Sequence, residues 1–246
     1  LFSFIDHSRI TTMLDTAFEA LKKFDWGSDL GALSPIEDAV VSAHGKPDMA
    51  KEIESRLAAA LQMELSRDAR EYVCRKLAVV GTAASVPAIA PLLIDKDSSH
   101  MARFALEQIP AAEAAAALRD AIPKAAGPVK VGLASSLGAR RDTAAVGVLS
   151  SLLKDADVAV AQAATLALGA IGTAEAVAAL QDALKAPGKN GARLVDALFS
   201  CAESLLAGNQ SAAATAIYRT FADENQPRLV RLAATRGLLA CASKTA

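Results

Sequence analysis

The chain has 246 residues, of which 52% are hydrophobic but only 4% aromatic, and its 26 basic and 27 acidic residues leave a formal net charge of −1. That balance offers no basic field for a phosphate backbone, which disfavours nucleic acid as a partner. The apolar stretches are interrupted too soon to span a bilayer. The apolar mass is alanine, leucine and valine: good helix formers, whose small members let helices approach closely. No alternating run of apolar and β-branched residues predicts a strand.

The opening LFSFIDHSRI lacks methionine and also the basic start and small-residue cleavage site of a signal peptide, so it reads as a processed or excised segment. Thr11–Phe24 is predicted to be a helix. Ser34-Pro35-Ile36-Glu37 has the pattern of a capping box with proline in the first turn, opening a helix to about His44. Pro47–Leu65 reads as a longer amphipathic helix, and Phe24 and Trp26 are expected to cover the first repeat. Residues 1–65 are thus a divergent helical cap.

From Ser66 onward the chain repeats. LEQIPAAEAAAAL (Leu106 to Leu118), LGARRDTAAVGVL (Leu137 to Leu149) and LGAIGTAEAVAAL (Leu168 to Leu180) follow one another at steps of 31 residues. Leu77 and Ile89 match the same places at a step of 29. A period of this size means stacked helical units. The units fall near 66–95, 97–126, 127–156, 157–187 and 188–224, with a half unit at 226–246. In each, a first helix carries a stripe such as Tyr72, Val73, Leu77 and Val80, or Ala163, Ala164, Leu168 and Ile171. A turn follows at Gly81 or Gly172, where glycine permits left-handed geometry. A second helix then carries Val86, Ile89 and Leu93, or Val177, Leu180 and Leu184. Asp95, Asp97 and Asp157 are placed to cap the following helices.

Phe199 keeps the 31-residue step from Leu168, but the next second-helix marker, Ile217, arrives six residues late, so the helix around Asn190–Leu206 should be unusually long. Val230–Leu238 resembles a first helix with no second helix after it. A solenoid end normally presents a polar face, so the expectation is that the protein continues past Ala246 or that a partner covers this end.

The pattern of VAQAATLALGAIGTAEAVAAL, Val160 to Leu180, resembles HEAT repeats, in particular the short bacterial subtype of phycobilin lyases. EYVCRKL (Glu71–Leu77) and LGARRD (Leu137–Asp142) also resemble HEAT modules of large multidomain bacterial proteins, often exported ones. The resemblance implies an all-α, right-handed α-α superhelix, a HEAT-type solenoid of about seven hairpins, with first helices outside and second helices inside. It implies a scaffold that holds other proteins. The compartment stays open between cytoplasmic and exported.

Enzymatic relatives of the fold suggest specific checks. HEAT-like deoxyhypusine hydroxylases hold iron with His-Glu dipeptides, whereas the histidines here run His7-Ser8, His44-Gly45 and His100-Met101. No metal or cofactor is expected. HEAT-like DNA glycosylases use a basic, aromatic-lined groove, which a near-neutral chain with one tryptophan does not suggest. No nucleophile elbow, P-loop or dinucleotide glycine pattern occurs. Glu52/Glu54 and Asp95/Asp97 read as solvated faces or caps rather than acid–base dyads. Cys74, Cys201 and Cys241 are too far apart for a disulfide framework or metal spacing and read as small buried hydrophobes.

Arg140 and Arg141 stand where the next unit has Ile171 and Gly172. A lone arginine at a buried isoleucine site must snorkel out or pair. Asp142 and Asp155 are candidate partners, which makes an inter-repeat ion pair the first reading and an anionic contact on a partner protein the second. Arg70, Lys130 and Arg231 recur at one place and are expected to pair with aspartates of adjacent units. His100 reads as an ordinary exposed histidine. Exposed second-helix positions, among them Ser85, Pro91, Glu113, Ala116, Arg119 and Thr143, outline a mostly small-residue face that could take a helix or extended segment. The candidate partner-binding residues are Arg140, Arg141, Asp142, Arg119, Glu113 and Ser85. The expected function is a non-catalytic scaffold or protein-interaction module, a segment of a larger protein or complex. The alternative is an accessory subunit of a chromophore lyase, and nucleic-acid binding comes third.

Overall fold

The computed structural model describes residues 2–186 and 188–245, with side chains described for 11–186, 188 and 190–244. All regular structure among these residues is helical. The chain is an α-solenoid whose helices fall into two compact units, residues 1–125 and 126–246.

The first unit begins with α1 (Phe2–Leu21), α2 (Ser34–Ser42) and α3 (Pro47–Ala60). It continues through α4 (Arg67–Val80), the one-turn α5 (Val86–Ile89), α6 (Ser99–Gln108) and α7 (Ala112–Ala121). α4 packs on α3 and α6, while α5 and the residues after it lie against α7, so first and second helices form separate layers. Leu77, Ile89, Leu93, Leu106 and Leu118, the repeat markers, are buried. Each such side chain contributes about 1.5–3 kcal/mol when removed from water.

The N-terminal elements depart from expectation. α1 ends at Leu21, and the chain turns through Gly27, which has φ +81°. α3 stops at Ala60, five residues early. The capping box does not form, because a 3-10 turn over Leu30–Leu33, itself capped by Asp29, runs into α2 and occupies the N-cap place with Leu33. Glu37 is released to pair with Lys76 at 2.7 Å. Phe24 does cover the first repeat, its ring 6.2 Å from that of Tyr72. Trp26 does not: it is 91% exposed.

The first unit's second helix is also broken. Pro87 and Pro91 lack the N–H that a continuous helix needs, and the chain runs as a 3-10 turn (Ala83–Ser85), α5 and a second 3-10 segment (Ala90–Ile94). Gly81 is not left-handed; its φ is −68°. It is required for space instead, since a Cβ there would lie 2.3 Å from the Leu77 carbonyl oxygen and 2.8 Å from Ile109 Cδ1.

The second unit contains α8 (Gly127–Ala139), α9 (Val146–Leu152), α10 (Val158–Ile171) and α11 (Ala174–Leu184). It closes with α12 (Gly191–Ala207), α13 (Ser211–Phe221) and α14 (Arg228–Thr245). α10 packs between α8 and α12, and α9 lies against α11. Asp157 caps α10 through Ala159 N–H at 2.9 Å, and Thr173 caps α11 through Ala176 N–H at 3.3 Å. Gly172 ends α10 at φ +68°, as its position in the repeat predicts. α12 has 17 residues, the long helix expected there. Phe199 packs against Tyr218 and Phe221 of α13, with ring centroids at 5.6 and 5.3 Å. α14 buries Ala234 and Cys241 and leaves Leu229, Leu232 and Leu239 exposed.

Candidate interaction surface

The second-helix face of the first unit is where side chains converge without filling the space between them. A groove of about 470 Å³ lies between the proline-broken strip after Ser85 and α7. Pro87, Pro91 and Ile94 form one wall, and Glu113, Ala116 and Asp120 the other, with Lys124 at one end. Two prolines lock φ on the first wall, and a run of alanines keeps the second wall low. The expected face is therefore present at Pro91, Glu113 and Ala116. Ser85 is not part of it: this residue is fully buried, and its hydroxyl donates to the Thr82 carbonyl at 3.1 Å. Arg119 is half-buried on α7 and does not line the groove.

Arg140, Arg141 and Asp142 lie together in the second unit, at the turn after α8. Arg140 is the half-buried C-cap residue of that helix. Arg141 is exposed and has φ +50°, the left-handed conformation that glycine provides one repeat later. Asp142 caps the following 3-10 turn by accepting from Ala144 N–H at 3.3 Å.

Asp155, one of the two carboxylates expected for Arg140, belongs to Lys130 instead, with Nζ 3.4 Å from Oδ2. Its carboxyl is held below the usual range first by the Asp157 backbone N–H, and then by Lys130. Both residues belong to the repeat at 127–156, so Lys130 pairs within its own unit rather than with the expected aspartate of an adjacent one. In the first unit the corresponding Arg70 reaches the next repeat by donating to Ser98 Oγ at 3.2 Å. Asp95 organises that place: it accepts from the backbone N–H groups of Asp97 and Ser98 at 3.0 and 2.7 Å. Its own carboxyl is depressed chiefly by the Ser98 hydroxyl. Asp95 thus caps the turn, and Asp97 donates to it.

One polar contact has no forerunner in the sequence pattern. Glu54 of α3 is 3% exposed, and its Oε1 accepts from the Thr82 backbone N–H at 2.6 Å and the Thr82 hydroxyl at 2.9 Å. A side chain from one hairpin thereby closes the turn of the next. Only its three-dimensional neighbour distinguishes Glu54 from exposed Glu52.

The cysteines are all buried. Burial, followed by nearby Glu71, pushes the Cys74 thiol up to about 12, and burial pushes Cys201 to about 11. Neither offers a thiolate nucleophile near neutral pH. His44 and His100 are exposed, and His7 lies outside the described side chains. Among the described residues, no group of three or more His, Cys, Asp or Glu side chains is arranged to hold a metal ion. No helix among them is long and apolar enough to cross a membrane.

Residues 115–198 match the family model described as HEAT repeats. The matched segment begins in α7 and ends in α12, and it contains Leu118, Leu149 and Leu180, each 31 residues from the next, and the Arg140–Asp142 turn. Among solved structures, the chain is similar to an engineered protein at 20% identity and TM-score 0.43, over 92% of this chain and 68% of that one. It is similar to human deoxyhypusine hydroxylase in complex with glycerol at 17% identity and TM-score 0.40, over 99% of each chain. A second engineered protein is similar at 20% identity and TM-score 0.31, over 92% of this chain and 97% of that one. No curated protein matches the chain.

Proposed function

We propose that this chain is a non-catalytic scaffold that binds other proteins through the second-helix face of its HEAT repeats. The observation that carries the reading is the groove between the Pro87–Ile94 strip and α7, lined mostly by proline, isoleucine and alanine side chains together with Glu113, Asp120 and Lys124. An apolar centre with a charged rim is the usual anatomy of a protein-binding patch, and a groove of this kind takes a helix or an extended segment. The near-neutral net charge supports a protein partner over nucleic acid. The finer assignment, to the short bacterial subtype of phycobilin lyases, rests on the residue pattern of Val160–Leu180.

The test is site-specific photocrosslinking. A photoreactive residue at Ala116, with a matched control at exposed Gln181, is introduced and crosslinked in the native source. A discrete protein adduct at 116 and none at 181 is the expected result. No adduct at 116, or equal labelling at both, removes the groove reading. A copurifying tetrapyrrole would replace the scaffold with the chromophore-lyase alternative.

A further inference from the structure

The first unit holds a second cavity, between helix α4 and the loop after α1. It measures about 410 Å³ and is walled by Phe24, Trp26, Leu30 and Tyr72, with Asp25, Asp68, Glu71 and Arg75 among its lining residues. Trp26, the single tryptophan of the chain, is 91% exposed there, and Leu30 is exposed beside it. A tryptophan left in water forgoes the largest apolar burial any side chain can make. The loop that carries it is nevertheless fixed. The Ser66 hydroxyl donates to the Phe24 carbonyl at 2.6 Å, Asp25 N–H donates to Ser28 Oγ at 2.9 Å, and Trp26 N–H donates to Asp25 Oδ1 at 2.9 Å. A loop backbone fixed in advance lowers the ordering cost of binding at the indole it carries.

Charge says what the cavity would accept. Three carboxylates line it against one guanidinium, and that guanidinium is already held by Glu71, with Arg75 Nη2 and Nε at 2.6 and 3.1 Å from Oε1. A cation is the complement. The same unit already uses the required chemistry internally: the Arg56 guanidinium lies 4.5 Å from the Phe18 ring centroid while its Nη2 donates to Asp15 at 2.6 Å. Lys76 also meets a ring and a carboxylate, its Nζ 5.0 Å from the Tyr72 ring centroid and 2.7 Å from Glu37 Oε1, but only a planar guanidinium lays its face on a ring while bonding a carboxylate through two in-plane N–H groups.

We propose that the cavity beside Trp26 receives an arginine side chain of a partner protein, stacked on the indole and bonded to Asp68. This rests on the scaffold reading and names one chemical feature of the partner.

Trp26 is its own reporter. Its emission is followed while an acetylated tetra-arginine amide is titrated in, with tetra-lysine and tetra-glutamate as comparisons. A saturable change with tetra-arginine is expected, together with weaker binding of tetra-lysine. Asp68→Asn should weaken the arginine peptide roughly fivefold or more. Arg75→Ala should strengthen it several-fold, because it frees Glu71 for the ligand. Circular dichroism confirms that each variant is folded. An absent or unsaturable response overturns the proposal, as does equal affinity for lysine and arginine, or an affinity unchanged by Asp68→Asn. If the crosslink at 116 persists while the arginine response is absent, the cavity fails and the scaffold stands; loss of the crosslink with the arginine response intact means the reverse.

Discussion

Arg141 and Gly172, one repeat apart, share a left-handed backbone, with φ +50° and +68°. At 172 the conformation costs nothing extra, because glycine has no Cβ to clash. Arginine at 141 adopts it against a penalty of about 1 kcal/mol. Arg141→Gly should therefore raise stability by about 0.5–1 kcal/mol. Urea unfolding measures it, and a loss of stability would mean that the Arg141 side chain contributes more than its backbone costs. Gly172→Ala should move the other way, since its Cβ would also come within 2.8 Å of Ser204 Cβ.

Close helix approach depends on glycine at the place after the repeat leucine. A Cβ at Gly138 would lie 2.7 Å from Ala167 Cα, and one at Gly169 would lie 3.0 Å from Ala197 Cα. Gly138→Val should cost about 1–3 kcal/mol by overpacking α8 against α10. Gly147, in α9, has open space where a Cβ would go. Gly147→Ala should be neutral or stabilising by up to about 1 kcal/mol. Thermal melts of the two variants should separate clearly; equal melting temperatures would refute the packing argument.

Glu54 ties α3 to the turn at Thr82. Glu54→Ala leaves a backbone N–H and a hydroxyl without their acceptor and should cost about 1–3 kcal/mol. Glu52→Ala, at an exposed position on the same helix, should stay within about 0.5 kcal/mol of the parent. Chemical denaturation of the pair tests this, and equal effects would remove Glu54 from the architecture.

Acid should weaken the second unit through Asp155. Its folded-state carboxyl lies below the ordinary range, chiefly because of the Asp157 N–H. The unfolded chain therefore takes up protons first as pH falls. The stabilisation is present above about pH 5 and is lost as pH falls through about 4 and below. Asp95, depressed in the same way, contributes with the same sign in the first unit. Asp155→Asn should flatten the decline in unfolding free energy between pH 5 and 3, and an unchanged slope would exclude this carboxylate as a cause.

Much of the repeat was legible in advance. Leu106, Leu118, Leu137, Leu149, Leu168 and Leu180 are all buried as their spacing requires, and Gly172 ends its helix as expected. The stretched step to Ile217 correctly marked α12 as long. The candidate surface was legible only in part. Pro91, Glu113 and Ala116 reached the groove, but Ser85 went inside, because the prolines that follow it broke the helical register used to place it. Asp155 turned to Lys130, and Trp26 turned to solvent.

Periodicity thus determines which residues face the interior, since every repeat must bury the same stripe against its neighbours. It also places some helix ends, as at Asp157 and Gly172, because caps and left-handed turns act within a few residues, but not those at Ser34, Ala60 or Gly81. The contacts that distinguish one repeat from another run between residues far apart in sequence: Glu54 with Thr82, Glu37 with Lys76, Arg70 with Ser98. Only the tertiary structure decided those, because a side chain's polar partner depends on which hairpin lies beside it, and helical period carries no record of that.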